Sequence, residues 1–456
     1  MKSVALHNLG CKVNAYEIDV MQQMLQEKGY IIVSFDEKAD IYIVNTCSVT
    51  NIADRKSRQM LHKAKKMNPD AIVVATGCYV QTGKDMLQQD ECIDIVIGNN
   101  RKKDIVKIIE EFIQEQQVTD AVIDINNTEE YEEMNLRQTA DHTRAYIKIQ
   151  DGCNQFCSYC IIPYARGRVR SRSAAHILEE ITGLVAVGYK EIVLTGIHIS
   201  SYGTDFVKKD SEDYLSIEKK DPKTIAQQKG YLLELIRQIH QVKDLERIRI
   251  GSLEPRIITE EFARTLSEMP KICPHFHLSL QSGCNATLER MNRHYTVDEY
   301  YGKVNLLRKF FVHPAITTDV IVGFPEESEE EFLNTKEFLA KIKFYEMHIF
   351  KYSKRQGTMA AAMKNQVPDP VKTQRSNDLL KMEEKQSIEY RNYYLGKEEE
   401  VLFEEEKEMN GKQYWIGHTK QYVKVAATCK VNLSNQIKKG KICEFLRDDI
   451  MLIELF

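Results

Sequence analysis

The stretch Ala145-Tyr146-Ile147-Lys148-Ile149-Gln150-Asp151-Gly152-Cys153-Asn154-Gln155-Phe156-Cys157-Ser158-Tyr159-Cys160 decides the fold. Its first six residues read as a β strand, and the loop behind them carries three cysteines spaced C-x-x-x-C-x-x-C. With eleven cysteines in 456 residues, chance would produce one such fixed spacing about 0.006 times per chain. A structural zinc knuckle needs a fourth ligand close by, but Cys160 runs on into Ile161-Ile162-Pro163-Tyr164. Three thiolates on a cube of four irons leave one iron open to a substrate or cofactor, whereas an electron-transfer cluster is usually held by four cysteines. Cys153, Cys157 and Cys160 are therefore read as ligands of an iron–sulfur cluster that does chemistry.

Strand and helix patterns alternate outward from this motif. Ala145–Gln150, Glu191–Thr195, Arg247–Gly251, His275–Leu280, Ile316–Val322 and Glu346–Phe350 read as strands, with helical periodicity between them, for example over Glu329–Ile342. Six βα units predict a partial (β/α)6 TIM-like barrel over residues 136–395, with the cysteine loop at the carboxyl end of its first strand, where barrel active sites lie. Thr204–Lys229 breaks the rhythm and reads as a charged, exposed insertion.

Upstream, residues 1–135 show βαβ periodicity, so an α/β domain with a parallel sheet is expected there. The acidic stretch from Asn126 to His142 reads as a linker. Downstream, residues 396–456 hold short alternating runs such as Glu400–Phe403 and Ile450–Leu455, the pattern of a small OB-like β barrel.

A second cysteine set is dispersed. Cys11, Cys47 and Cys78 each end one of the strands Val4–Leu9, Ile41–Thr46 and Ala71–Thr76. Parallel strands end at one edge of the sheet, so these thiols should converge in the crevice where such sheets bind ligands. Gly10 and Gly77 would let the backbone approach a bulky group. Inert burial is the competing reading, since free cysteine is also a small core residue. Identical placement after three strands favours ligation. Cys92, Cys273, Cys284, Cys429 and Cys443 lack partners at ligand spacing.

Composition sets the outer limits. Net charge is −4, with 43% hydrophobic and 29% charged residues, as in ordinary globular proteins and unlike a polycation. No apolar run could span a bilayer, and the opening residues show no secretory signal. A cytoplasmic location and the absence of a membrane partner are expected.

The motif Ile149–Gly167 resembles the signature of the radical S-adenosylmethionine methylthiotransferases. Gly10-Cys11-Lys12-Val13-Asn14 and Asn45-Thr46-Cys47-Ser48-Val49-Thr50 are similar to that family's first domain, and Gly417-His418-Thr419-Lys420-Gln421-Tyr422-Val423 to its C-terminal RNA-binding TRAM domain. The resemblance covers nearly the whole chain, Thr204–Lys229 excepted. It implies two 4Fe-4S clusters. The barrel cluster would bind and reductively cleave S-adenosylmethionine, giving a 5′-deoxyadenosyl radical. The other cluster would supply sulfur, and a second S-adenosylmethionine the methyl group. Tyr159, Thr195, Gly196, Glu254, Gln281, Ser282 and Asp319 would contact the cofactor from strand ends, although strand-end polar residues also cap helices. A flavodoxin or ferredoxin would be the reductant, and the chain a monomer.

Members of this family modify either an adenosine beside the tRNA anticodon or a ribosomal protein. The Cys-Lys-Val-Asn start and Thr195-Gly196-Ile197-His198 resemble the branch acting on N6-threonylcarbamoyladenosine at position 37. The isopentenyladenosine branch typically has Gln-Met near its first cysteine, and the protein-modifying branch Cys-Pro-Lys. Charge supports RNA separately: Met409 to Cys443 holds seven lysines and no acids, interleaved with Tyr414, Trp415 and Tyr422. Lysines neutralise phosphates and aromatics stack on bases. Lys420, Lys424, Lys438, Lys439, Arg166 and Arg168 are the expected RNA contacts, with Arg55–Lys66 a second basic patch. A non-catalytic iron–sulfur or zinc RNA-binding module is the remoter alternative.

Overall fold

The computed structural model describes residues 2–115, 120–138, 143–206 and 230–456. Strands β1 (Ser3–Asn8), β2 (Ile31–Val33), β3 (Ile41–Thr46), β4 (Ile72–Gly77), β5 (Ile95–Ile97) and β6 (Asp120–Ala121) form one parallel sheet in the order β2-β1-β3-β4-β5-β6. β3 is buried along its whole length. That is why it reads as an unbroken apolar run, as strands covered on both faces do.

The second domain begins with β7 (Arg144–Asp151), which pairs with the short antiparallel β8 (Arg170–Ser171) on one side and with β9 (Glu191–Gly196) on the other. β10 (Arg247–Ile250) follows β9 in parallel. A second sheet, β11 (His275–His277), β12 (Ala315–Val322) and β13 (Glu346–Lys351), continues the curve. The two are joined by the parallel bridge Leu253–Leu278. This is the expected six-stranded partial barrel. The predicted strand His275–Leu280 pairs regularly only to His277, and beyond it Gln281 adopts φ +71°. The single parallel bridge Gln281–Val320 keeps that segment on the sheet.

The stretch read as a linker is instead packed. Glu132, Met134 and Leu136 are buried. The Tyr131 hydroxyl donates to the Lys148 carbonyl at 2.8 Å, and Tyr16 donates to the carbonyl of Met134. Residues 128–138 thus strap the first domain to the barrel. The insertion Thr204–Lys229 lies almost entirely outside the described residues; only Thr204–Phe206 is described, as a short 3-10 turn.

β14 (Glu398–Met409), β15 (Lys412–Thr419), β16 (Lys424–Ala427), β17 (Ile437–Arg447) and β18 (Ile450–Leu455) close into a small barrel. It docks at the amino ends of the large barrel's strands. Arg247 donates to the carbonyls of Glu400 and His418 at 2.8 and 3.0 Å, and Arg249 to that of Lys420 at 3.0 Å. Among the described residues, no helix is long and apolar enough to cross a membrane.

Candidate active site between two cysteine loops

Cys11 caps the helix Lys12–Glu27 behind β1, Cys47 follows β3 directly, and Cys78 opens the helix Cys78–Gln88 behind β4. These three strands are neighbours and parallel, so their carboxyl ends meet at one edge. Two glycines make room there. At Gly10 (φ +117°) a Cβ would lie 3.2 Å from Cys47 Sγ, and at Gly77 (φ +99°) it would strike the Thr46 carbonyl oxygen at 2.5 Å. Burial and the neighbouring Cys78 push the Cys47 thiol up to about 12, and burial likewise raises Cys11. Thiols crowded in this way resist ionisation unless a cationic centre binds them. Arg166 Nε donates to Cys78 Sγ at 3.2 Å and Asn99 Nδ2 lies 3.8 Å from the same sulfur. Asn45 Oδ1 and Thr76 Oγ1, on the flanking strand ends, are buried without a protein partner. The donor set and the glycine cradle fit an iron–sulfur cluster.

The barrel motif occupies the loop after β7. The turn Arg290–Arg293 holds it in place. Ser158 Oγ donates to the Arg290 carbonyl (2.7 Å), Asn292 Nδ2 donates to that of Phe156 (3.0 Å), and Ser158 N donates to that of Met291 (3.1 Å). Arg293 Nη1 donates to Cys157 Sγ at 3.3 Å and the Gln155 amide to Cys153 Sγ at 3.4 Å. Burial and the adjacent Cys157 and Cys153 raise the Cys160 thiol strongly. Three thiols in one loop with charge-assisted donors to sulfur again suit a cluster. Sequence reasoning passed over Arg293 and Asn292, because nothing in Met291-Asn292-Arg293-His294 marks them as partners of a loop 136 positions earlier.

A cavity of about 240 Å³ lies between the two loops. It is lined by Val49 and Thr50 from the Cys47 loop, by Tyr159 from the barrel motif, and by Gln281, Asp319 and Tyr352 among others. Arg355 holds its wall together, with Nη1 2.7 Å from Asp54 Oδ2 and Nη2 donating to Ser48 Oγ at 2.8 Å.

Of the seven residues expected to contact the cofactor, Tyr159, Gln281 and Asp319 line this cavity. Glu254 is buried and accepts from Arg256 Nε at 2.5 Å and from Gln155 Nε2 at 3.5 Å. Burial pushes its carboxyl up, but Arg256 and His198 hold it below the usual range. Thr195 is buried, and Gly196 lies against the Gln150 carbonyl. Ser282 is fully buried and faces Thr335 Oγ1 and the Cys284 amide, so its hydroxyl does structural work.

The RNA-contact expectations need correction. Arg166 is completely buried between the domains, bound to Glu17, Asn14, Asp151 and Cys78, and offers nothing to a phosphate. Its neighbours Arg170 and Arg172 are buried too. Arg168 is exposed, with its guanidinium 4.6 Å above the Phe156 ring. Tyr414 and Trp415 are buried in the small barrel. Tyr422 stacks on His418 at 4.4 Å and receives the guanidinium groups of Arg144 and Arg249 at 5.0 and 4.7 Å. Tyr422 therefore joins the small barrel to the large one, while Tyr414 and Trp415 belong to the small barrel's own core. Lys438 and Lys439 are exposed, whereas Lys420 and Lys424 are about one-third exposed, 3.9 Å from Glu400 and 3.8 Å from Asp449 respectively.

Residues 3–98 match the family described as Uncharacterized protein family UPF0004, and residues 147–339 match the Radical SAM superfamily. The Threonylcarbamoyladenosine tRNA methylthiotransferase MtaB of Bacillus subtilis is 40% identical over 97% of this chain and 94% of its own length. The tRNA-2-methylthio-N(6)-dimethylallyladenosine synthase of Finegoldia magna is 33% identical over 96% and 91%. Among solved structures, the radical S-adenosylmethionine methyltransferase TsrM of Kitasatospora setae aligns with a TM-score of 0.54 at 17% identity, over 77% of this chain and 75% of that one. At that identity it speaks for the fold alone. Two cysteine-bearing loops that both border one cavity, with full-length relatives of this kind, identify the chain as a member of the radical S-adenosylmethionine methylthiotransferase family.

Proposed function

We propose that this protein adds a methylthio group to C2 of N6-threonylcarbamoyladenosine at position 37 of tRNA. The observation that carries the reading is the cavity walled by residues of both cysteine loops, Val49 and Thr50 from one and Tyr159 from the other. Cys153, Cys157 and Cys160 would hold one 4Fe-4S cluster, and Cys11, Cys47 and Cys78 the other. When bound, these clusters and S-adenosylmethionine supply reductive one-electron chemistry on one side and sulfur on the other. The chain's own part is orientation. The Arg290–Arg293 turn fixes the barrel loop, Arg355 fixes the Cys47 loop, and Tyr159, Gln281 and Asp319 shape the space between. Four relatives named for threonylcarbamoyladenosine are 35–40% identical, against 32–34% for four of those named for dimethylallyladenosine. The reading carries with it a cytoplasmic location, a flavodoxin or ferredoxin as electron donor, and a monomeric state.

The test is direct. Anaerobically reconstituted protein is given S-adenosylmethionine, a reductant and two anticodon stem-loops, one with N6-threonylcarbamoyladenosine and one with N6-isopentenyladenosine. Nucleoside mass spectrometry should find the methylthio group on the first. Modification of the second alone would overturn the proposal.

A further inference from the structure

We infer that Arg293 is a positioning residue for the barrel cluster, where its guanidinium holds Cys157 as a thiolate ligand and eases one-electron reduction; the inference rests on the cluster ligands proposed above. The helix Asn285–Arg290 ends in a turn where Asn292 adopts φ +56°, a left-handed conformation that asparagine tolerates better than most residues. The Asn292 side chain fastens this turn to the cysteine loop through the Phe156 carbonyl at 3.0 Å. The next side chain is thereby aimed at Cys157. All three nitrogens of the Arg293 guanidinium are engaged. Nη1 donates to Cys157 Sγ at 3.3 Å, Nε to the Tyr295 hydroxyl at 3.0 Å and Nη2 to the Ser279 carbonyl at 3.4 Å. Tyr295 is buried beneath it, with the guanidinium 4.9 Å from the ring centre and the hydroxyl donating to the Ser279 carbonyl at 2.7 Å.

Charge balance gives the contact its meaning. Arg256, Arg290 and Arg355, in the same part of the molecule, are each paired with a carboxylate: Glu254 at 2.5 Å, Glu331 at 2.6 Å and Asp54 at 2.7 Å. Among the described residues, Arg293 has no such ion pair; its partners are a phenol, a carbonyl and a thiol. Glu254 feels its charge at longer range but is itself bound to Arg256. A guanidinium keeps its charge at any working pH, so the Cys157 thiolate is the close partner left for it. Three thiolates outweigh the positive charge of an iron–sulfur core, and an added electron deepens the excess. A fixed cationic donor at one sulfur therefore favours the reduced state, which is the state that cleaves S-adenosylmethionine. Binding the carboxylate of S-adenosylmethionine at the open iron is the competing role for Arg293. Its nitrogens already have protein partners, which favours the sulfur, and the two roles separate in protein free of S-adenosylmethionine.

The experiment is a redox titration followed by electron paramagnetic resonance, on full-length, anaerobically reconstituted protein without S-adenosylmethionine. Cys11, Cys47 and Cys78 are changed to Ala throughout, so that the signal comes from the barrel cluster alone. Arg293→Gln removes the charge and keeps a donor; Arg293→Lys keeps the charge. The Gln variant should hold its iron with a reduction equilibrium at least tenfold less favourable, a midpoint about 59 mV lower, and the Lys variant should recover most of the difference. Equal midpoints with Arg293 and with Gln, or equal shifts in Gln and Lys, would overturn the inference and leave the proposed function standing. If the Gln variant retains no iron, a Lys variant that retains it at a near-original midpoint supports the inference, and any other result for Lys overturns it. If no cluster forms while Arg293 is intact, the assignment of Cys153, Cys157 and Cys160 proposed above falls, and this inference with it.

Discussion

Arg166 shows what a single buried charge does in this molecule. Its guanidinium joins Glu17 of the first domain to Asp151 of the barrel and also donates to Cys78 Sγ. Lys102 and Lys148 complete the network on Glu17 at 2.5 and 2.8 Å. Removing one partner of a buried charge set leaves the others unpaired, at about 3–5 kcal/mol. Arg166→Met should therefore lower the stability by that order, whereas the exposed Lys438→Ala should leave it unchanged. Chemical denaturation of both variants checks this. Acid should attack the same network. Burial pushes the Glu17 carboxyl up, but Arg166, Lys102 and Lys148 outweigh it and hold it well below the ordinary range. A depressed folded-state value contributes stability above the unfolded value, about 4.3, and that stability is lost as pH falls below it. A melting temperature that drops steeply below about pH 4.5, and more shallowly in Glu17→Gln, is the expected profile. The cysteine spacing was legible because it is a local pattern. Arg166 was misread because a run of arginines gives charge without direction.

At the scale of elements, the small β barrel has two faces. One is a plug. Tyr422, at φ +69°, seats its ring between His418, Arg144 and Arg249 at the amino ends of the large barrel's strands. The other is the start of β17, where the exposed Lys438 and Lys439 stand opposite Val401 and Glu400 of β14. Glu400 lies 3.6 Å from Lys439, so the acid-free window in the sequence acquires its acids from a neighbouring strand. If this face grips tRNA, Lys438→Ala with Lys439→Ala should flatten the log–log salt dependence of binding by about 0.7–0.9 per lost phosphate contact. An unchanged slope would shift docking to Arg168 and the exposed cations of Asn51–Met67. Strand order was readable from apolar runs and their spacing. The strap over residues 128–138 was not, because its four glutamates mask the apolar Tyr131, Met134 and Leu136 that fasten it.

For the whole molecule, three domains converge on one interior. The first supplies Cys11, Cys47 and Cys78, the second the barrel with Cys153, Cys157 and Cys160, and the third closes the far end. Changing Cys153, Cys157 and Cys160 together to Ala should leave about half the iron of the reconstituted protein. Cys47→Ala should lose methylthiolation while still cleaving S-adenosylmethionine. The division into three was legible from composition and periodicity. The cavity was not, since it arises from contacts such as Arg355 with Ser48 that join residues 307 positions apart. The central claim is tested most directly by mass spectrometry of tRNA nucleosides from a strain lacking the gene. The account predicts that 2-methylthio-N6-threonylcarbamoyladenosine disappears and its unthiolated precursor accumulates, with isopentenyladenosine derivatives unchanged. A full level of the methylthiolated nucleoside in that strain would contradict it.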